Sequence, residues 1–186
     1  MEELGNGRIK VNGRIYKKWL SHEQINSGIE ELATWIGCEF STAKKPPILM
    51  EVQTGGKYLL VDLHRKLYID VHIDAVGVTS YPGVEKKVAP KITSMWRSDV
   101  KNRDIVLVED IIDTGDTTQF LKKKLLAAGA HRVIIVAIVA RNHSKKGLGA
   151  YDRVCFIYDG DEWLHGYGLD DEQLGRQLTD IYFKTS

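Results

Sequence analysis

Between residues 109 and 118 the chain packs four carboxylates (Glu109, Asp110, Asp113, Asp116) and three hydroxyls (Thr114, Thr117, Thr118) around one glycine, Gly115. Core packing asks for none of these groups, so their density points to a ligand. The run follows the apolar residues 105–108 and precedes a helical pattern with Leu121, Leu125 and Ala128 on one face, stopped by Gly129. A helix start offers free backbone N–H groups and a partial positive charge, so a phosphate can settle there, with Thr114, Thr117 and Thr118 as further donors and Gly115 allowing close approach. Carboxylates beside a phosphate would repel it unless they serve other groups. Glu109 and Asp110 suit vicinal sugar hydroxyls, which donate hydrogen bonds, or an oxygen-preferring divalent cation such as magnesium. The plainer alternative is that Asp113 caps a helix and Glu109 and Asp110 are surface acids.

The elements that must position these groups alternate in type. A first helix is predicted from Ser21, whose hydroxyl with Gln24 three residues on makes a capping box, followed by Ile25, Ile29, Leu32 and Ile36 on one face. Pro46 and Pro47 reset the backbone before a strand over 48–52 and a glycine turn over 53–56. Leu59, Leu60 and Leu63 mark a helix over 57–66, and residues 68–73 alternate as a strand would. A polar, glycine-containing stretch over 80–103 leads to the strand 105–108 and the helix after the acidic run. Residues 133–139, β-branched almost throughout, read as a central parallel strand, and 154–158 as one more. This alternation predicts an α/β fold with a mainly parallel, twisted sheet flanked by helices and ligands beyond the carboxyl ends of the strands.

Composition narrows the class. With 186 residues, 43% hydrophobic, and no linker, repeat or low-complexity tract, the chain reads as one domain, 1–186. Lys plus Arg less Asp plus Glu is 26 − 25 = +1, which disfavours a nucleic-acid partner bound through a bulk positive field. Cys38 and Cys155 provide neither a disulfide framework nor a zinc set, as expected in a reducing, cytoplasmic setting. The longest apolar run, 133–140, is far below the ~20 residues of a membrane span, and the charged start, Met1-Glu2-Glu3, is unlike a signal peptide; no membrane association is expected.

The string from Val108 to Thr117 resembles the phosphoribosyl pyrophosphate signature of the type I phosphoribosyltransferases, closest to the form used by the hypoxanthine-guanine branch. A P-loop or a dinucleotide-binding motif would need glycines and a lysine that are absent here. The resemblance runs from about Tyr16 to Phe183. Residues 19–25 with 30–33 are similar to the family's opening helix, and Gln53-Thr54-Gly55-Gly56 stands where the family has a Leu-Lys-Gly-Gly turn that grips pyrophosphate. Residues 62–67 resemble the helix after that turn, and Ser80-Tyr81 the start of a mobile loop. Gly166-Tyr167-Gly168-Leu169-Asp170 with Arg176 resembles the carboxyl-terminal segment, in which the Asp binds metal and the Arg pyrophosphate.

The resemblance implies the type I phosphoribosyltransferase fold, with a small hood formed by the terminal segments. It implies a transferase that moves the 5-phosphoribosyl group of phosphoribosyl pyrophosphate to hypoxanthine or guanine in purine salvage, with Mg2+, as a homodimer or homotetramer. Carried over by residue, Asp113, Thr114, Gly115, Asp116 and Thr117 would hold the 5′-phosphate, and Glu109 and Asp110 the ribose hydroxyls. Asp170, with Glu109 and Asp110, would face the metal. Thr54, Gly55, Ser80, Tyr81 and Arg176 would bind pyrophosphate, and Ile111, Arg141, Trp163 and Leu164 the base. Asp113 would act as general base or electrostatic partner at the purine N7 side.

Several positions depart from the family pattern. Thr54 and Asp116 each replace a Lys, and at the end of the strand 133–139 the nearest cation to the expected base-reading Lys is Arg141. Glu51 stands where the family has a small residue, and both a solvated edge position and an active-site role are open to it. His165, beside the base segment, reads as incidental rather than catalytic. These departures motivate two alternatives: transfer to another base (xanthine, adenine, a pyrimidine or a modified base), or a catalytically silent regulator that binds a phosphoribosyl metabolite. The retained Asp113, Asp170 and Arg176 argue against the silent regulator.

Overall fold

The computed structural model describes residues 2–79, 82–83, 86–87, 89–142 and 150–185. The chain opens with three strands, β1 (Glu2–Gly5), β2 (Arg8–Val11) and β3 (Arg14–Leu20), paired antiparallel in sequence order. Asn12 and Gly13 link β2 to β3, both at positive φ, as a two-residue hairpin turn demands. Helix α1 (His22–Phe40) begins with the predicted capping box: the Ser21 hydroxyl accepts from the Gln24 N–H, and the Gln24 side chain accepts from the Ser21 N–H. Ile25, Ile29, Leu32 and Ile36 are all buried, as their spacing predicts.

The chain then runs through β4 (Ile48–Gln53), α2 (Gly56–Lys66), β5 (His72–Thr79), the short antiparallel pair β6 (Pro82–Gly83) and β7 (Lys86–Lys87), and β8 (Lys91–Ser94). It continues with β9 (Asp104–Ile112), α3 (Asp116–Ala127), β10 (Arg132–Arg141), β11 (Arg153–Tyr158), β12 (Leu164–His165) and β13 (Ile181–Lys184). The main sheet has the order β11-β10-β9-β4-β5-β8, parallel throughout except for β8 at one edge. Leu49, Val106, Val108, Ile134 and Val136 face α1 and α2; Ile48, Met50, Ile105, Leu107 and Ile135 face the α3 residues Leu121 and Leu125. Each such buried side chain contributes about 1.5–3 kcal/mol. With both faces covered, the central strands lose the polar alternation that an exposed sheet would keep.

The terminal segments form a second sheet, β1-β2-β3-β13-β12, antiparallel, built from both ends of the chain as the predicted hood requires. No helix among the described residues is long and apolar enough to cross a membrane. Cys38 and Cys155 are both free thiols.

Four element expectations need correction. The strand predicted over 68–73 lies over His72–Thr79, because β4 starts at Ile48, whose partner is His72, and earlier residues have no strand to pair with. Leu67, Ile69 and Val71 do alternate inward onto the core, but as a connection outside the sheet. The strand predicted to stop at Val108 continues to Ile112, since its pairing with β10 persists through Val139–Ile111 and Ala140–Ile112. On α3 the buried set is Thr118, Leu121 and Leu125; Ala128 is the exposed cap residue. The polar stretch 80–103 contains the edge strand β8.

Candidate active site

The direction of strand progression reverses between β4 and β9, which are adjacent although four strands and one helix separate them in the chain. In an open parallel sheet the carboxyl ends of two such strands leave a crevice. Here those ends carry Thr54-Gly55 and the acidic run, so the fold brings together two motifs over fifty residues apart in sequence.

Glu109 and Asp110 are the last acids within β9 rather than part of a loop, and as neighbours in a strand they aim to opposite faces. Burial, reinforced by the adjacent Asp110 carboxylate, pushes the Glu109 carboxyl well above its ordinary range. Burial also raises Asp110, against the pull of the Ile111 N–H, which donates to Asp110 Oδ1 at 2.8 Å, and of Arg176. The turn proper is Asp113-Thr114-Gly115. Gly115 caps α3 at φ 80° and contributes no side-chain cap, so the helix N-terminus is left to its peptide N–H groups. Asp113, Thr114 and Asp116 are exposed there and Thr117 half-buried. Thr118 is a correction: it is buried, and its hydroxyl is turned inward to the carbonyls of Gly115 (3.1 Å) and Ala150 (3.3 Å), away from a ligand at the helix start.

Gly55 is dictated by contact: a Cβ there would stand 1.6 Å from Asp110 Oδ2. The same turn meets the hood, because a Cβ on Gly168 would lie 2.6 Å from the Gly55 carbonyl oxygen. From the hood, Arg176 NH2 pairs with Asp170 Oδ1 at 2.6 Å, while NH1 donates to the Gly168 carbonyl at 2.5 Å and lies 3.9 Å from Asp110 Oδ2. Asp170 Oδ2 accepts from the Gln173 N–H at 2.7 Å. The Thr54-Gly55 turn, the strand-end acid Asp110 and the hood residues Asp170 and Arg176 therefore meet in one place.

Beside them is a cavity of about 200 Å³. Ile111, Leu164, Leu169 and Trp163 give it apolar walls; Asp110, Asp113, Arg141 and Asp170 give it polar ones. Trp163 is 54% exposed yet anchored, its indole N–H donating to the Asp170 carbonyl at 2.7 Å. Leu164 is buried in β12. Arg141 donates from NH1 to the Gly160 carbonyl (2.9 Å) and from NH2 to the Glu162 carbonyl (3.0 Å), with Nε 3.6 Å from Asp113 Oδ1. Of the predicted site residues, Ser80 and Tyr81 lie outside the described residues.

Among the described residues no three His, Cys, Asp or Glu side chains gather as a metal set, so Glu109, Asp110 and Asp170 do not form a protein-only cage. Asp170 and Asp110, on either side of Arg176, fit the other way in which magnesium is held: one or two carboxylates together with the phosphates of a substrate.

Two residues acquire a clearer character than their sequence context gives. Glu51 is not at a solvated edge. It lies in β4 between β5 and β9, 8% exposed, with Oε1 lacking a hydrogen-bond partner and its carboxyl raised by burial. It borders a larger cavity of about 360 Å³, with Gln53, Asp74 and Ser94, and its charge adds to the upward push on the Glu109 carboxyl. His165 is fully buried, stacked on Tyr16 at 4.8 Å, with neither ring nitrogen hydrogen-bonded and its pKa pulled down by burial. A single polar letter in an apolar context carries no sign of which way it faces.

A family model for the phosphoribosyl transferase domain matches residues 16–172. The chain belongs to that family. Among curated family proteins, it is 28% identical over 174 residues to a hypoxanthine-guanine phosphoribosyltransferase of Aquifex aeolicus, covering 93% of this chain and 97% of the relative. The same identity holds over 160 residues to one of Mycoplasma genitalium, covering 86% and 90%. Among solved structures of the family, a hypoxanthine phosphoribosyltransferase from Staphylococcus aureus superposes with a TM-score of 0.83 at 25% identity, covering 91% of each chain. A hypoxanthine-guanine phosphoribosyltransferase from Bacillus anthracis gives 0.80 at 26%, covering 90% of this chain and 97% of that one. The fold is thus that of the type I phosphoribosyltransferases, with the parallel sheet and the separate antiparallel hood.

Proposed function

We propose that this protein is a purine phosphoribosyltransferase that transfers the 5-phosphoribosyl group from phosphoribosyl pyrophosphate to hypoxanthine or guanine, releasing pyrophosphate. The observation that carries this reading is the convergence on one 200 Å³ cavity of Asp110, Asp113 and Asp170 with the apolar pair Ile111 and Trp163. The relatives named for hypoxanthine and guanine support the choice of base.

In this reading the 5′-phosphate sits against the peptide N–H groups from Thr114 to Thr117 at the start of α3, where the helix dipole favours an anion. The Glu109 and Asp110 carboxyls receive the ribose hydroxyls, which donate hydrogen bonds to them. Gly55 offers its peptide to the diphosphate, and Arg176 turns from Asp170 towards it. The flat base lies between Ile111 and Trp163, with Leu164 and Arg141 at its edge. Asp113 takes the proton from N7 as N9 attacks C1, and the surrounding carboxylates favour positive charge on the sugar as the C1–O bond to the departing pyrophosphate breaks. Asp170, together with the diphosphate, would hold a magnesium ion, which when bound would supply neutralisation of the leaving group.

A second reading, transfer to another base, is favoured by the end of β10, where Ala140 is fully buried and Arg141 stands in place of an ammonium. Incubating the protein with phosphoribosyl pyrophosphate, magnesium and a panel of bases separates the two. Nucleotide formation fastest with hypoxanthine or guanine supports the first; turnover confined to xanthine, adenine or a pyrimidine replaces it with the second.

A further inference from the structure

Arg141 ends β10 with its side chain only 9% exposed, enclosed by groups that belong to two different parts of the site. On one side Nε is 3.6 Å from Asp113 Oδ1, in the turn that starts α3. On the other, NH1 and NH2 hold the carbonyls of Gly160 and Glu162, in the segment that leads directly into Trp163. The guanidinium also lies over the Tyr158 ring at 5.7 Å, and the Tyr158 hydroxyl donates to Glu162 Oε2 at 2.8 Å. A planar fork with donors on three nitrogens can bridge two carbonyls and a carboxylate at once; a single ammonium on a flexible stem cannot hold that geometry.

We propose that Arg141 is a positioning and specificity-determining residue, tying Asp113 to the 160–162 segment and thereby setting the gap between Ile111 and Trp163 into which the base fits. Its cation then acts through the walls of the pocket, rather than by reading the exocyclic group of the purine. The proposal rests on the purine-transferase reading for the identity of the ligand, but the tie itself is a statement about this chain. One consequence separates the two roles. A reader of the exocyclic oxygen affects 6-oxopurines selectively, whereas loss of the tie weakens 6-oxo and 6-amino purines together.

The test compares wild type with Arg141→Lys and Arg141→Gln. The first readout is acrylamide quenching of the Trp163 emission, taken as the difference between each protein and its Trp163→Phe counterpart. The second is the affinity for inosine and adenosine monophosphates by calorimetry, and the third is KM for base against KM for phosphoribosyl pyrophosphate. The expected result is greater Trp163 quenching in both variants, with both nucleotide affinities lowered in parallel, by about tenfold. The base KM should rise with little change in the KM for phosphoribosyl pyrophosphate, and the Lys variant should give no rescue. Unchanged Trp163 quenching, or a loss confined to inosine monophosphate that Lys restores, would overturn the proposal. If the wild type turned over no base, the functional reading would fall, while quenching and nucleotide affinity would still decide the tie.

Discussion

Asp113 combines three properties at one residue: it is exposed at the turn before α3, it lines the cavity shared with Ile111 and Trp163, and it lies within ionic reach of Arg141. A helix cap would need only the first. Asp113→Asn keeps shape and hydrogen-bonding reach but removes the base, so kcat should fall by about 10²-fold or more, in the range of general-base loss, with little change in phosphoribosyl pyrophosphate affinity. Rapid-quench turnover paired with calorimetric Kd checks this, and an unchanged kcat removes Asp113 from the chemistry. At this scale the sequence was most informative where several polar letters stood together: 109–118 was legible because no core or simple cap explains its density. Thr118 was misread because three threonines in one run look alike, although a helical hydroxyl can turn back onto the carbonyl three residues earlier, here that of Gly115.

Strand β4 carries its own tension. Glu51 lies buried between two parallel neighbours with an unpaired oxygen, a situation that costs about 1–3 kcal/mol for a polar group. Because burial raises its folded pKa above the ordinary 4.5, the carboxyl is neutral in both states below that value. Stability is then lost as pH rises from about 4.5 through the raised folded value. Glu51→Gln should therefore melt higher than wild type at pH 8, with the difference fading as the pH approaches 4.5; a pH-independent difference would contradict it.

The hood strand β12 has the opposite sign. Burial lowers the His165 pKa, so the unfolded chain takes up a proton first, and stability is lost as pH falls through 6.5. A Phe at 165 keeps a ring in the space against Gly175, where a Cβ would stand 1.9 Å from the imidazole, and removes the titration. Thermal melts of His165→Phe between pH 7 and 5 should show a shallower acid loss than wild type; equal slopes would exclude His165 as its source. Elements with strong periodicity, such as α1 with its capping box, were legible from sequence. Strand ends were not, because they are set by the partner: β5 starts where Ile48 offers a neighbour, and β9 lasts as long as β10 accompanies it. The strands 2–20 were obscured by the charged residues on their solvent side, even though Asn12-Gly13 marks a hairpin turn.

In the whole molecule, two sheets divide the labour. The main sheet delivers the Thr54-Gly55 turn and the acidic strand end to the crevice between β4 and β9, and the antiparallel hood, made from both ends of the chain, brings Trp163, Asp170 and Arg176 over it. The near-neutral net charge of +1 conceals this local concentration of acids. The architecture was legible because alternating strand and helix patterns leave few topologies, whereas contacts across the crevice, such as Arg176 with Asp170, depend on backbone paths that no local pattern encodes. The central claim is that one site joins an activated sugar phosphate to a purine. Its most direct test follows the protein with phosphoribosyl pyrophosphate, magnesium and hypoxanthine by phosphorus nuclear magnetic resonance. The account predicts inosine monophosphate and pyrophosphate appearing in equal amounts at the expense of phosphoribosyl pyrophosphate. Bound but unconsumed phosphoribosyl pyrophosphate, with hypoxanthine and with guanine alike, would contradict it.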